Sequence, residues 1–286
     1  MSADLTTVAE APPWERRRER PTWGLVEGDA IAPGRTVLRR LGGGRRFEVF
    51  LVWDDHRLAV LVAKVLRPDE AARPAARRDL AREGEALGRL GHPVIVRGFE
   101  AAVDARFPHL LLEHLEGPTL RELVEADGPL ALEQALPLGL HVASALHYLA
   151  AEGMVHLDVK PDNVVMGAPP RLIDFSIARR SAEAARLRVP VGTDAYMAPE
   201  QRRAGTDGAP PVGPASDVFG LAATLHHAVA GARSPAALPR RVPPALGELL
   251  RDAMAPESAH RPTAAAFAAR LEPLVAALPR RRGWRR

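Results

Sequence analysis

The octapeptide His156-Leu157-Asp158-Val159-Lys160-Pro161-Asp162-Asn163 gathers acids, a cation and an amide, and a further acid follows in Asp174-Phe175-Ser176. Asp158 can accept a proton from a hydroxyl. Asn163 and Asp174 offer the hard oxygen ligands that Mg²⁺ prefers. Lys160 is a point positive charge two residues from Asp158. A base, an oxygen-ligated metal and a cation near the moving group are the requirements of phosphoryl transfer. Between the two parts lie the apolar run Val164-Val165-Met166 and a turn at Gly167-Ala168-Pro169-Pro170. The stretch therefore predicts two short strands joined by a hairpin, with the acids and the amide at their edges.

Those groups need elements to hold them. Ahead of them, residues 36–41 and 47–53 predict two strands rich in Val, Leu and Phe, joined by a turn at Gly42-Gly43-Gly44. Backbone approaches a phosphate closely only where no Cβ intervenes, so these glycines are candidates for covering one. Residues 59–66 predict a third strand, apolar but for Lys64, and a lysine inside a buried strand needs a partner or a task. Residues 77–90 predict a helix with Leu80, Leu87 and Leu90 on one stripe, and Glu83 falls on that stripe. A carboxylate on an apolar face wants a cation, so Lys64 and Glu83 account for each other. After Gly91-His92-Pro93, Val94-Ile95-Val96 starts another strand, and residues 110–115 form a further buried one. Thr119 can cap a helix over 120–126. Residues 132–152 predict a long buried helix in which Pro137 demands a kink or a late start. Residues 178–189 read as a loop of low complexity.

From about residue 33 to about residue 275 the chain resembles the protein kinases, and among them the bacterial Hanks-type (eukaryotic-like) serine/threonine kinases. Residues 156–163 and 174–176 resemble the HRD-x-K-x-x-N and DFG motifs. Gly42, Gly44 and Val49 match the pattern G-x-G-x-x-G-x-V, with Phe47 in place of the third glycine. His92-Pro93-Val94-Ile95-Val96 matches H-P-x-I-V, and the segment from Gly192 to Glu200 matches G-T-x-x-Y-M-A-P-E. Ser216-Asp217-Val218-Phe219-Gly220 matches the start of a buried large-lobe helix, and His260-Arg261-Pro262 the site whose arginine pairs with Glu200. The resemblance implies an α+β bilobal kinase fold: a β-rich N-lobe with one helix over residues 31–115 and a mainly helical C-lobe over 116–275. It implies ATP and Mg²⁺, with Asp158, Lys160, Lys64 and Glu83 catalytic and Asn163 and Asp174 on the metal. It places Gly42, Gly43, Gly44, Val49, Ala63, Lys64, Glu113, Leu115 and Val165 around the nucleotide, with Leu112 gating the pocket behind adenine. It also implies that Asp217 binds the backbone of the catalytic loop.

Composition bounds the rest. The 286 residues, 47% hydrophobic, suffice for one large domain or two lobes around a cleft. The absence of cysteine excludes disulfides, cysteine nucleophiles and zinc–thiolate sites and suits a cytoplasmic location. No run of about 18 apolar residues suggests a transmembrane helix. The net charge of +4 reflects Arg16-Arg17-Arg18 near the start and Arg280-Arg281-Arg282 and Arg285-Arg286 near the end. These read as solvated arms, at 1–30 and 276–286, rather than nucleic-acid contacts. Trp14 and Trp23 are unusual in such an arm, and either tether it to the small lobe or have no role.

The expected activity is transfer of phosphate to Ser or Thr of a protein. The alternative is a pseudokinase, a nucleotide-sensing or scaffolding module, suggested by Phe47, by Leu157 at the HRD arginine and by Ser176 at the DFG glycine. An aminoglycoside phosphotransferase would share the H-x-D-x-x-x-x-N loop, but Lys160, Glu200 and Arg261 argue against it. Leu157 cannot gather a phosphate, and residues 177–192 offer Ser181 as their one hydroxyl. Activation-loop phosphorylation is therefore not expected to switch the protein on. Order must come from apolar packing or from a regulatory protein partner.

Overall fold

In a computed structural model, residues 20–232 and 237–279 are described. Strands β1 (Ala30–Ala32), β2 (Arg35–Gly43), β3 (Phe47–Asp54) and β4 (Ala59–Leu66) run antiparallel in chain order. A short helix α1 (Pro68–Ala71) and a long one, α2 (Pro74–Arg89), follow. Strands β5 (Gly98–Ala102) and β6 (His109–Glu113) then complete a six-stranded sheet of order β1-β2-β3-β4-β6-β5. Helix α2 starts earlier than the periodicity alone suggests, because Pro74 sits at its first turn, where no backbone donor is needed. Its buried face carries Ala76, Leu80, Glu83 and Leu87. Full burial of each leucine contributes about 1.5–3 kcal/mol.

The second lobe is helical. Helix α3 (Leu120–Asp127) opens with a capping box in which Thr119 and Glu122 satisfy each other's backbone. Helix α4 (Leu132–Ala151) starts on time despite Pro137. Short pairs follow: β7 (Met154–Val155), and β8 (Val164–Val165) with β9 (Arg171–Leu172), the hairpin expected around the catalytic stretch. Strand β10 (Arg179–Arg180) pairs with β7 and leads into α5 (Ser181–Ala184), where the sequence read as an unstructured loop. Helices α6 (Pro199–Arg202), α7 (Pro214–Ala230), α8 (Pro244–Ala253) and α9 (Ala264–Ala276) complete the lobe. Helices α4, α7 and α9 pack so closely that a Cβ on Gly139 would lie 2.9 Å from Leu225 and 3.0 Å from Leu271.

Three expectations need correction. Two of the three glycines do not form the turn: Gly42 and Gly43 stay in β2, with φ of 151° and 156°, and pair with Val49 and Glu48. The turn falls on residues 44–46. Residues 94–96 form no strand; Ile95 makes one bridge to Leu172, and β5 starts at Gly98. Residues 20–30, read as part of a poorly ordered arm, lie against the sheet, with the Trp23 ring 5.0 Å from that of Phe107. Trp14, the run Arg16–Arg18, residues 280–286 and residues 233–236 of the Pro/Arg-rich stretch lie outside the described residues.

Candidate active site

A cleft of about 1020 Å³ separates the lobes. Strands β2 and β3 form its roof through Gly42, Gly43, Gly44 and Val49, and Val165 lies in its lining too. At its back, β6 passes into Glu113, His114 and Leu115. Glu113 fixes this passage: its carboxylate accepts from the Arg97 N–H at 2.7 Å and from Arg171 at 3.0 Å. Among the described residues, no backbone hydrogen bond engages Leu115, so its N–H and C=O stay open to the cleft edge. Ala63 does not face the cleft. It is fully buried in the cluster with Val37, Phe50 and Leu111, on the other side of the sheet. Side chains alternate along a strand, so the residues facing the cleft beside it are Val62 and Lys64.

Lys64 sits where α2, β4 and residue 174 converge. Its Nζ lies 2.9 and 3.2 Å from the two Glu83 oxygens and 2.6 Å from Asp174 Oδ1. The contact expected from the apolar stripe is thus formed, with a second carboxylate added. Burial by itself would push the Lys64 ammonium down, but Asp174 and Glu83 outweigh it and hold it above the ordinary lysine range. Burial pushes Glu83 up, and the neighbouring Asp174 charge adds to this while Lys64 opposes it. Burial works against the Asp174 charge, yet Lys64 overrides it and holds that carboxyl far below the usual range. Asp174 adopts φ of 63°, a left-handed conformation that costs a non-glycine residue about 1–3 kcal/mol. The following Phe175 is fully buried and meets the His156 ring edge-on at 4.6 Å.

Around Asp158 the polar side chains bond one another. Lys160 Nζ donates to Asp158 Oδ2 at 2.7 Å and to Thr193 Oγ1 at 2.6 Å, and Thr193 donates to Asp158 Oδ1 at 2.7 Å. Asn163 Nδ2 donates to the Asp158 carbonyl at 2.9 Å and to Oδ2 at 3.0 Å. With its amide N–H groups so used, Asn163 has its carbonyl oxygen left for a ligand. That oxygen and the ionised Asp174 are hard donors, and both residues line the cleft, so the pair fits Mg²⁺. Burial pushes the His156 imidazole below its ordinary range, and its Nδ1 accepts from the Asp158 N–H at 3.2 Å.

The loop carrying Asp158 is held from below. Asp217, at the start of α7, accepts from the His156 and Leu157 N–H groups, both at 2.7 Å. Burial pushes its carboxyl up to about 7 against the pull of those two donors. Arg261 grips Glu200 with two hydrogen bonds of 2.7 and 2.8 Å, and Ser216 donates to the same carboxylate at 2.7 Å. Leu157, with φ of 70°, is buried in a cluster with Val155, Ala184, Ala204 and Val212, against which Ile177 and Leu187 pack.

Four features were not read from the sequence. Thr193 bonds the Asp158 carboxylate and Lys160, and its place beside Gly192 was the available signal. Arg121 grips Asp162 at 2.6 and 2.8 Å and reaches the Tyr196 hydroxyl at 3.3 Å. Phe47 turns inward, and Lys64 Nζ lies 4.4 Å from its ring centroid. Glu48 and Arg67 are buried polar residues of the roof. The last three depend on contacts between segments far apart in sequence.

Residues 35–267 match the protein kinase domain family. The chain is similar to a probable serine/threonine-protein kinase, PkwA, of Thermomonospora curvata, with 39% identity over 216 residues covering 74% of this chain and 28% of that protein. It is similar to the serine/threonine-protein kinase PknB of Mycobacterium leprae, with 33% identity over 200 residues, 67% of this chain and 31% of that protein. A probable serine/threonine-protein kinase of Streptomyces coelicolor, SCO3848, is 31% identical over 173 residues, 57% of this chain and 26% of that protein. The chain thus spans less than a third of the length of these relatives.

Proposed function

The chain belongs to the protein kinase family, and from that premise we propose that it transfers the γ-phosphate of Mg-ATP to serine or threonine hydroxyls of a protein. One observation carries the proposal: the Asp158 carboxylate, held by Lys160, Thr193 and Asn163, is tied through Asn163 to the cleft that Lys64 and Asp174 also line. In this reading Gly42, Gly43, Gly44 and Val49 cover the nucleotide. Val62 and Val165 sandwich adenine, and the backbone of Glu113 and Leu115 binds its edge. Lys64, oriented by Glu83, binds phosphate oxygens. Asn163 and Asp174 hold Mg²⁺, which when bound neutralises charge on the phosphates. Asp158 takes the proton of the attacking hydroxyl, and Lys160 offsets charge on the group in transit. Fixed charges of this kind account for most of the acceleration in phosphoryl transfer.

The working unit is residues 31–275, with the cleft between residues 31–115 and 116–275. Its partner is a protein bearing Ser or Thr, and nucleic acid is no part of the reading. A cytoplasmic location is consistent with the absence of cysteine and with the absence, among the described residues, of a helix long and apolar enough to cross a membrane. Activation without a loop phosphate is supported by the burial of Leu157 among apolar residues of the loop itself. A regulatory protein is the other source of order.

The pseudokinase reading is favoured by one contact, Phe47 over Lys64. It is disfavoured because the departures at Phe47, Leu157 and Ser176 remove none of the groups assigned to metal, phosphate or proton. Radiolabelled ATP with a generic protein acceptor separates the two. The wild type should label the acceptor and Asp174→Ala should not. Equal labelling by both, or none by the wild type, would refute the proposal.

A further inference from the structure

The segment Arg20–Trp23 precedes the family match at residue 35, yet it is bonded to the hairpin that roofs the cleft. Phe47 and Val49 of β3 line the cleft, while Glu48 between them turns to the opposite side and is fully buried. There its carboxylate accepts from Thr22 Oγ1 at 2.5 Å and from the Trp23 N–H at 3.0 Å, with Arg40 at 3.7 Å. A buried carboxylate must be paired, so Glu48 and the segment depend on each other. Arg67, also buried, bridges the same two parts: Nε donates to the Gly44 carbonyl at 2.9 Å and Nη1 to the Pro21 carbonyl at 3.1 Å. Trp23 Nε1 donates to the Leu66 carbonyl at 2.6 Å.

The turn itself is held from this side. Its three carbonyls are all engaged: Gly44 by the Arg67 side chain, Arg45 by Arg20 at 3.1 Å, and Arg46 by the Arg67 N–H at 2.9 Å. Neither Arg20 nor Arg67 lines the cleft. Carbonyl oxygens repel phosphates, so bonding them to groups outside the cleft favours an anion beneath the turn. A turn already ordered also loses less freedom when a ligand binds.

We propose that Arg20–Trp23 is a strap that positions the glycine hairpin, with Glu48 and Arg67 as positioning residues, and that it sets the affinity for nucleotide rather than the rate of the chemical step. The strap rests on the kinase reading only through the identity of that ligand.

The test uses the full chain carrying Thr22→Val with Trp23→Phe, which removes two side-chain donors while keeping the shape at residue 22 and an aromatic ring at residue 23. Thr22→Ser serves as the conservative control. The KM for ATP should rise about 3- to 10-fold, the size expected for one or two lost hydrogen bonds, while kcat stays within about twofold. Amide hydrogen exchange should quicken across residues 42–47 and stay unchanged across residues 110–112. Thr22→Ser should match the wild type in both. Unchanged KM and exchange in the double variant would overturn the strap. So would a fall in kcat at constant KM, or faster exchange throughout the sheet. A wild type that binds no ATP would instead overturn the proposed function, and the exchange comparison would still decide the strap.

Discussion

At the residue scale, Lys64 does the most with one charge, since it meets two carboxylates within 3 Å. Replacing it with alanine should lower turnover by about 10²-fold or more, the usual loss when a group dedicated to developing charge is removed. The melting temperature should change far less, because Glu83 can take up a proton. Steady-state rates and thermal unfolding on the same preparation check this. Phe47 acts in the opposite sense. A lysine over an aromatic face gains about 0.5–2 kcal/mol, and here it is gained on the cleft side of the roof. Phe47→Gly should therefore tighten ATP binding, measured calorimetrically, while lowering thermal stability; weaker binding would show that the ring assists the nucleotide. Lys64 and Glu83 were legible in the sequence because each is an anomaly, a charge on an apolar strand or stripe. Ala63 was misassigned because strand phase decides which neighbour of Lys64 faces inward, and a nearly continuous apolar run does not reveal phase.

At the element scale, the buried pair Arg261–Glu200 joins α6 to the turn before α9. Removing one partner leaves a buried charge, so Glu200→Ala should cost about 3–5 kcal/mol in urea unfolding. The pair also sets a pH dependence. Burial opposes the Glu200 charge, but Arg261 and Ser216 bring its carboxyl below the ordinary value of 4.5. A lowered pKa means that the unfolded chain takes up the proton first. The contribution is therefore complete above about pH 4.5 and is lost as pH falls towards the folded value. Glu200→Gln should flatten this acid limb, and an unchanged limb would place the loss elsewhere. This pair and the Asp217 cap were legible through motif order. Strand β10 was not, since a two-residue pairing with β7 leaves no periodic signal. The position of the hairpin turn was missed because glycine marks a turn only statistically, and Gly42 and Gly43 use their freedom to stay extended.

At the scale of the whole molecule, apolar packing holds the two lobes and the segment from Ile177 to Leu187. Leu157 fills the place of the arginine in the HRD motif, and Ile177, Ala184 and Leu187 close over it. Phosphatase treatment and Ser181→Ala should each leave activity within about twofold of the untreated wild type; a large loss in either would restore a phosphate switch. The bilobal plan was legible because the motifs fix the order of the elements, while the strap was not, because its bonds join residues 20–23 to residues 45–67. The central claim is that Asp158 is the base of a phosphoryl transfer for which the cleft binds ATP. It is tested most directly by Asp158→Asn, measured for ATP affinity and for turnover on a protein acceptor. Turnover should fall by about 10²- to 10⁴-fold, the range for loss of a positioned base, while affinity stays within about threefold. Turnover preserved in Asp158→Asn, or its absence from a wild type that binds ATP normally, would contradict the account.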